Sequence, residues 1–243
     1  MKKSFRGAGS AVLAVTVVAL LAVLALAGCD EGQSDTLEDL AEMEPGDGPV
    51  GEERIAELKR QIENYREIVE EKVQATGQLA VYYKMLGRAY MTRRMYGPAL
   101  DALEEAIRIE AANPIVFYRA AVAAGQLGSS AGSEPEARRH FETAERYYER
   151  AIELDPEYVD ALYGLAVLYT FELDRPEEAL DLLERATTVE PGRARPFMLM
   201  GRVLLELGRP EAAAEAYGKA AETAESEQIR DAALENRRRI LGE

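Results

Sequence analysis

One helical pattern recurs four times between Ala80 and Glu225, with a period of about 34 residues. Each copy places bulky, apolar and small residues on one face of a first helix and repeats the alternation on a second helix. A single hairpin of this kind has an apolar face that it cannot cover, so successive copies must stack on one another. The repeat therefore predicts an all-α solenoid of helical hairpins.

The four predicted repeats span residues 80–113, 114–158, 159–193 and 194–225. Their first helices carry Tyr83, Leu86, Gly87 and Tyr90; Phe117, Ala120, Ala121 and Ala124; Leu162, Leu165, Ala166 and Tyr169; and Phe197, Met200, Gly201 and Leu204. Their second helices carry Ala99, Leu103 and Ala106; Ala144, Tyr148 and Ala151; Ala179, Leu183 and Ala186; and Ala213, Tyr217 and Ala220. Because a small residue lets two helices approach closely, we expect each to face a large residue of the paired helix.

Prolines mark the ends of the predicted helices. Pro176 and Pro210 stand where a second helix begins, since the first turn needs no N–H at that position. Pro156 and Pro191 follow the places where second helices end. The second repeat has about eleven extra residues, which we assign to a flexible loop over residues 128–135 and to a lengthened second helix.

These signatures resemble the tetratricopeptide repeat family, most closely around Leu86 and Gly87, from Ala151 to Pro156 and from Ala186 to Pro191. The resemblance covers about three fifths of the chain, although no copy opens with Trp and Ala111 stands where the family usually has its terminal Pro. It implies a scaffold that binds protein or peptide on the inner surface of a superhelix, where the first helices lie.

The N-terminal 28 residues have the pattern of an export signal. Lys2, Lys3 and Arg6 precede an apolar run that reaches Ala27 and Gly28, directly before Cys29. The ending Leu-Ala-Gly-Cys resembles the lipobox of bacterial lipoproteins, which implies cleavage before Cys29 and lipidation of that residue, the only cysteine in the chain. The alternative is an uncleaved membrane helix. Both predict a domain tethered in the bacterial cell envelope, with inner versus outer membrane left open.

Residues 29–53 form a predicted acidic tether. Between Asp30 and Glu53 there are ten acidic residues and no Lys or Arg, with too little apolar surface for a core. Removal of the three cations in residues 1–28 would change the net charge from -15 to about -18 (-15 minus 3). A charge of this sign disfavours nucleic acid as a partner.

Two further helices flank the predicted repeats. Residues 54–79 form an amphipathic helix with Ile55, Leu58, Ile62, Tyr65 and Val69 at helical spacing. It either folds back as a cap on the first hairpin or pairs with the same helix of a second copy, making a homo-oligomer. Residues 226–243 form a second amphipathic helix, predicted to cap the C-terminal end of the solenoid.

The inner surface of the predicted solenoid is basic and aromatic in an otherwise acidic chain. Counting along the first helices places these side chains on or near it: Lys84, Arg88, Tyr118, Arg119, Tyr163, Arg195, Met198 and Arg202. Arginine and tyrosine together suit a carboxylate or an acidic peptide. The alternative is that these cations form solvated salt bridges with acids such as Asp160 or Glu206.

The family's two-carboxylate clamp is not expected in this groove. Lys84 fits its first position, but the following clamp positions carry Arg88, Val122, Tyr163 and Val167 where Asn, Asn, Lys and Arg would be expected. We therefore do not predict binding of chaperone tails.

Catalytic signatures are missing from the sequence. His140 is the only histidine, and no nucleophile, metal-ligand spacing or phosphate-binding loop accompanies it. We expect no enzyme activity, cofactor or metal. The predicted function is a lipid-anchored scaffold for protein–protein interactions in the cell envelope; the alternative is an oligomeric periplasmic accessory of a solute-uptake system that binds a small acidic ligand.

Overall fold

The computed structural model describes residues 52–243. The predicted signal peptide, Cys29 and nearly all of the acidic tether lie outside the described residues. The chain divides into two units, Met1–Asn64 and Tyr65–Glu243, and the second contains all four predicted repeats. Within residues 52–243, none of the helices is both long and apolar enough to span a membrane.

Nine α-helices and no strand make up the described residues, which confirms the all-α class. They are α1 (Glu52–Thr92), α2 (Tyr96–Ile109), α3 (Pro114–Ser129), α4 (Glu134–Leu154), α5 (Val159–Phe171), α6 (Pro176–Val189), α7 (Ala194–Glu206), α8 (Pro210–Glu222) and α9 (Glu227–Leu241).

Within the second unit each helix packs on the next along the chain from α2 to α9. The first helices α3, α5 and α7 also contact one another across the intervening second helices. Side chains from successive first helices therefore share one surface of the solenoid.

Small residues face large ones across the hairpins, as expected. A Cβ atom added to Gly87 would lie 2.7 Å from Cγ of Leu103, and one added to Gly201 would lie 2.8 Å from Cε2 of Tyr217. Both partners are almost fully buried. Glycine at these positions therefore sets how closely the paired helices approach.

The helix ends follow the proline pattern. Helices α6 and α8 begin at Pro176 and Pro210, and Asp155 and Glu190 cap the C-terminal ends of α4 and α6. At the end of the solenoid, α9 packs on α8 and buries Ala233 completely. The predicted C-terminal cap is present.

Two features differ from the sequence-based expectations. Helix α1 runs for 41 residues without a break, so the predicted helix over residues 54–79 and the first helix of the first repeat are one element. The predicted loop over residues 128–135 is also shorter, because α3 continues through Ser129 and α4 begins at Glu134. Gly128 is buried in α3, where an added Cβ would lie 2.4 Å from the Phe141 ring.

The apolar stripe of α1 is exposed. Ile62, Tyr65 and Val69 keep 56%, 52% and 57% of their surface accessible. An unbroken helix cannot return onto its own hairpin, so the predicted fold-back cap is wrong. The alternative, pairing of this stripe between copies, stays a prediction.

Candidate binding cleft

A cleft of about 240 Å³ opens on the surface formed by the first helices. Helices α3, α5 and α7 contribute most of its wall, α4 contributes one tyrosine, and one residue comes from the turn before α7. The lining residues are Tyr118, Tyr148, Val159, Asp160, Tyr163, Gly164, Val167, Arg193, Arg195 and Pro196.

Gly164 allows Tyr148 to reach this cleft from the second-helix layer. A Cβ atom at position 164 would lie 2.5 Å from Cε1 of Tyr148 and 2.9 Å from its hydroxyl oxygen. Any side chain larger than hydrogen would therefore push the phenol ring away. The glycine positions this tyrosine in addition to letting the helices approach.

The Tyr148 hydroxyl forms no hydrogen bond with any described residue, although only 7% of the residue surface is exposed. The hydroxyl of the preceding residue, Tyr147, does have a partner, because it donates a hydrogen bond to Glu104 over 2.8 Å. In the described part of the chain, no fully buried side-chain nitrogen or oxygen lacks a partner. The Tyr148 hydroxyl must therefore keep access to the open space of the cleft.

Three tyrosines form an aromatic cluster beside the cleft. The Tyr118 ring meets the Tyr158 ring edge to face, with centroids 5.3 Å apart and planes at 67°. It also lies 6.2 Å from the Tyr148 ring at 55°. Aromatic pairs in such tilted and edge-to-face arrangements contribute about 0.5–1.5 kcal/mol each beyond the area they bury, which favours these ring orientations.

Burial raises the pKa of each of these phenols. For Tyr158 the value is about 12, and burial raises the pKa of Tyr118, Tyr148 and Tyr163 as well. The nearby Arg195 opposes the shift at Tyr163, and Arg119 opposes it at Tyr118 and Tyr158. All four hydroxyls are therefore protonated at neutral pH and can donate hydrogen bonds.

Among residues 52–243, Asp160 is the only acid that lines the cleft, and it forms an ion pair. Nη2 of Arg193 lies 2.8 Å from Oδ1 of Asp160, while Nη1 of Arg193 lies 3.4 Å from Glu190. Arg119 and Arg195 form no ion pair with any residue in the range 52–243. The cations at and near the cleft are thus only partly neutralised.

The structure gathers part of the predicted groove into this cleft. Tyr118, Tyr163 and Arg195 line it, and Arg119 lies close enough to oppose the rise that burial causes in the pKa of Tyr118 and Tyr158. The remaining predicted residues do not line it: Lys84, Arg88, Met198 and Arg202.

Those four residues have other surroundings. Lys84 donates to Glu110 over 2.5 Å, so it forms the partly solvated salt bridge of the alternative interpretation. The Arg202 guanidinium stacks over the ring of Phe171 at 4.6 Å. Met198 packs against the buried cluster near the C-terminal cap, and Arg88 is exposed. Asp160, a predicted partner for the groove arginines, instead pairs with Arg193.

Sequence reasoning missed Tyr148, Tyr158 and Arg193 as parts of the site. Tyr158 and Arg193 occupy equivalent positions, each directly before a first helix. A bulky or charged residue at that turn was a usable signal, because it borders the surface of the next first helix. Tyr148 was assigned only to the core, and the signal for its second role is Gly164 in the following helix.

Within residues 52–243, no group of three or more His, Cys, Asp or Glu side chains is arranged to hold a metal ion.

The stacked hairpins, with the surface shared by α3, α5 and α7 and the terminal helix α9, define an α-solenoid. Two family models described as tetratricopeptide repeat match residues 131–197 and 170–234.

Known proteins with similar sequences or folds share this helical architecture. A TPR repeat-containing protein of Borreliella burgdorferi is 22% identical over 177 residues, covering 70% of this chain and 77% of that protein. A thermophilic TPR protein of Thermus thermophilus superposes with a TM-score of 0.57 at 18% identity, over 75% of this chain and 95% of that chain. YrrB, a TPR protein with an unusual peptide-binding site, superposes with a TM-score of 0.53 at 23% identity, over 74% of this chain and 85% of that chain.

Proposed function

We propose that this protein is a scaffold of the bacterial cell envelope, anchored by lipid at Cys29, that binds a segment of a partner protein on the surface of its first helices. The observation that carries the proposal is the open cleft, lined by Tyr118, Tyr148, Tyr163 and Arg195. YrrB, which shares the fold, is described as having a peptide-binding site, and this supports a peptide as the ligand here.

The composition of the cleft suits recognition of a protein segment. Tyrosine and arginine are enriched among the residues that contribute most to binding energy at protein interfaces. The Tyr118 ring already packs on the rings of Tyr148 and Tyr158, so a ligand has less ordering of these side chains to impose. Binding to a preorganised surface loses less conformational entropy than binding to a mobile one.

The proposal of a lipid anchor is based on the Leu-Ala-Gly-Cys sequence at residues 26–29. Acyl chains contribute about 0.8 kcal/mol per buried methylene, so two or three chains would hold the protein on a bilayer. Residues 30–51 would then separate the repeats from the membrane surface. Cys29→Ser should leave an unprocessed precursor without labelled fatty acid, and labelling equal to that of the wild type would contradict the anchor.

Site-directed photo-crosslinking in the native envelope tests the binding function. A photoreactive residue at Val167 would lie in the cleft, whereas the same residue at the exposed Thr188 of α6 would lie outside it. We expect a discrete protein adduct from position 167 only, identified by mass spectrometry. Equal adducts at both positions, or none at position 167, would refute a partner on this surface.

The size of the cleft favours a second candidate function. About 240 Å³ is below the range of about 300–1,000 Å³ typical of sites for drug-sized ligands. A small acid would fill it, as expected for an accessory of a solute-uptake system. A co-purifying small acid without any protein adduct at position 167 would favour this function over the scaffold.

A further inference from the structure

We infer that the cleft is a carboxylate-binding site in which the Tyr148 hydroxyl and the Arg195 guanidinium contact the bound group. This inference rests on the proposed function, because it names the chemistry that the first-helix surface recognises. Tyr148 and Arg195 are not among the positions of the family's two-carboxylate clamp, and the two clamp positions that line the cleft carry Tyr163 and Val167 in place of Lys and Arg.

The first observation is the Tyr148 hydroxyl, which keeps access to the open cleft while the rest of the residue is packed in the protein. A tyrosine with a packed ring and an accessible hydroxyl is suited to contact a ligand. The Tyr148 residue is more than nine-tenths buried and lines the cleft, yet its hydroxyl has no protein partner among the described residues. The neighbouring Tyr147 hydroxyl, outside the cleft, does have one in Glu104. A ligand in the cleft can supply the hydrogen-bond acceptor that the Tyr148 hydroxyl lacks.

The second observation is the set of hydrogen-bond donors on the wall. The hydroxyls of Tyr118 and Tyr163 likewise form no hydrogen bond with described residues. Arg195 adds a guanidinium that has only donors. Among the described residues that line the cleft, Asp160 is the one carboxylate, and it is paired with Arg193. A carboxylate in the cleft can accept hydrogen bonds from several of these donors.

The third observation is the local charge. Arg193 pairs with both Asp160 and Glu190, which gives that group a net charge of -1, and Arg119 and Arg195 remain without an ion pair among residues 52–243, so these five side chains together have a net charge of +1 (three cations minus two acids). Surplus positive charge beside several neutral donors favours an anion over a neutral amide. The chain as a whole has a net charge of -15, so this local excess is opposite in sign to the rest of the molecule.

The volume limits what the carboxylate can be attached to. At about 240 Å³ the cleft admits one acidic side chain, a C-terminal residue or a free small acid, and not a longer folded element. All three sources share the carboxylate, and they are separable by the choice of probe.

Binding by the processed full-length protein, kept in detergent, can be measured by ligand-observed NMR with four probes. These are glutarate, acetyl-trialanine with a free C-terminal carboxylate, an acetylated tripeptide amide with a central glutamate, and its glutamine counterpart. At least one carboxylate probe should bind, and the glutamine peptide should bind at least about tenfold more weakly, as expected when a charge-assisted hydrogen bond is lost.

Matched variants assign that binding to the cleft. Tyr148→Phe keeps the ring and removes only the hydroxyl, so it should weaken the bound probe about tenfold, whereas Tyr147→Phe should not. Arg195→Gln should weaken it similarly, whereas Arg88→Gln, outside the cleft, should leave it unchanged. Far-UV circular dichroism checks that each variant keeps its helices.

The inference fails if no carboxylate probe binds, if the glutamine peptide binds as well as the glutamate peptide, or if Tyr147→Phe weakens binding as much as Tyr148→Phe. A protein adduct at position 167 without carboxylate binding would leave the scaffold function standing and overturn only the ligand chemistry. Binding of glutarate alone would assign the site to a free acid, and binding of either peptide would assign it to a protein segment.

Discussion

Substitution of Gly201 by alanine tests how the hairpins are packed. The new Cβ atom would lie 2.8 Å from two atoms of the Tyr217 ring and 2.9 Å from a third. Ordinary contacts begin at 3.4 Å, so the ring would have to move by about 0.6 Å (3.4 minus 2.8). Tyr217 is only 4% exposed, which leaves the ring little room to move. Overpacking of this kind costs about 1–3 kcal/mol of stability.

The same substitution also gains about 1 kcal/mol, because alanine favours a helix interior more than glycine does. Gly125→Ala provides a matched control, since its added Cβ would meet only Ala144 at an ordinary 3.9 Å. Both variants receive the propensity gain, and only Gly201→Ala must displace a ring. The difference between their unfolding free energies therefore isolates the packing cost.

Thermal unfolding followed by far-UV circular dichroism measures this difference. We expect Gly125→Ala to unfold above the wild type and Gly201→Ala to unfold at or below it. A gap of about 1–3 kcal/mol corresponds to at least about 2–4 °C between the two midpoints. Equal midpoints for the two variants would refute the close approach of α7 and α8 at this glycine.

Three further predictions concern the cleft, the ion pair of Lys84 and Glu110, and the N-cap residue of α9. Gly164→Ala should displace the Tyr148 ring and weaken carboxylate binding with helix content retained, as measured by NMR titration and circular dichroism. Hydrogen bonding from Lys84 lowers the pKa of Glu110. The ion pair therefore stabilises the folded protein at neutral pH, and this stabilisation disappears as the pH falls through the lowered pKa of Glu110. Lys84→Gln should therefore cost about 0.5 kcal/mol in urea unfolding at neutral pH and nothing in strong acid. The Ser226 side chain accepts a hydrogen bond from a first-turn N–H of α9, so Ser226→Ala should cost about 1 kcal/mol and speed amide exchange in that helix.

Features fixed by local chemistry were predictable from the sequence. Pro176 and Pro210 begin helices because proline suits a first turn, and the spacing of Gly87 and Gly201 identified the tight helix contacts. These signals act within one hairpin. They do not depend on how successive hairpins are arranged.

Features that depend on several elements were not predictable in the same way. The repeat pattern shows where a hairpin face begins, and it does not show whether the preceding helix ends there. Residues 54–79 therefore looked separate, although no proline interrupts the chain between Glu52 and Thr92. The cleft was only half recognised, because Tyr148 comes from a second helix and Arg193 from a turn.

The cleft has a consequence for how this chain can evolve. Hairpins in a solenoid contact mainly their neighbours, so copies can be gained or lost at either end while the scaffold survives. The cleft instead takes its wall from three successive hairpins, between Tyr118 of α3 and Pro196 of α7. Duplication of one repeat therefore lengthens the solenoid without adding a second cleft, and insertion of a repeat between α3 and α7 separates the residues that line the cleft. These residues can keep their function only if the three hairpins stay together in the same order.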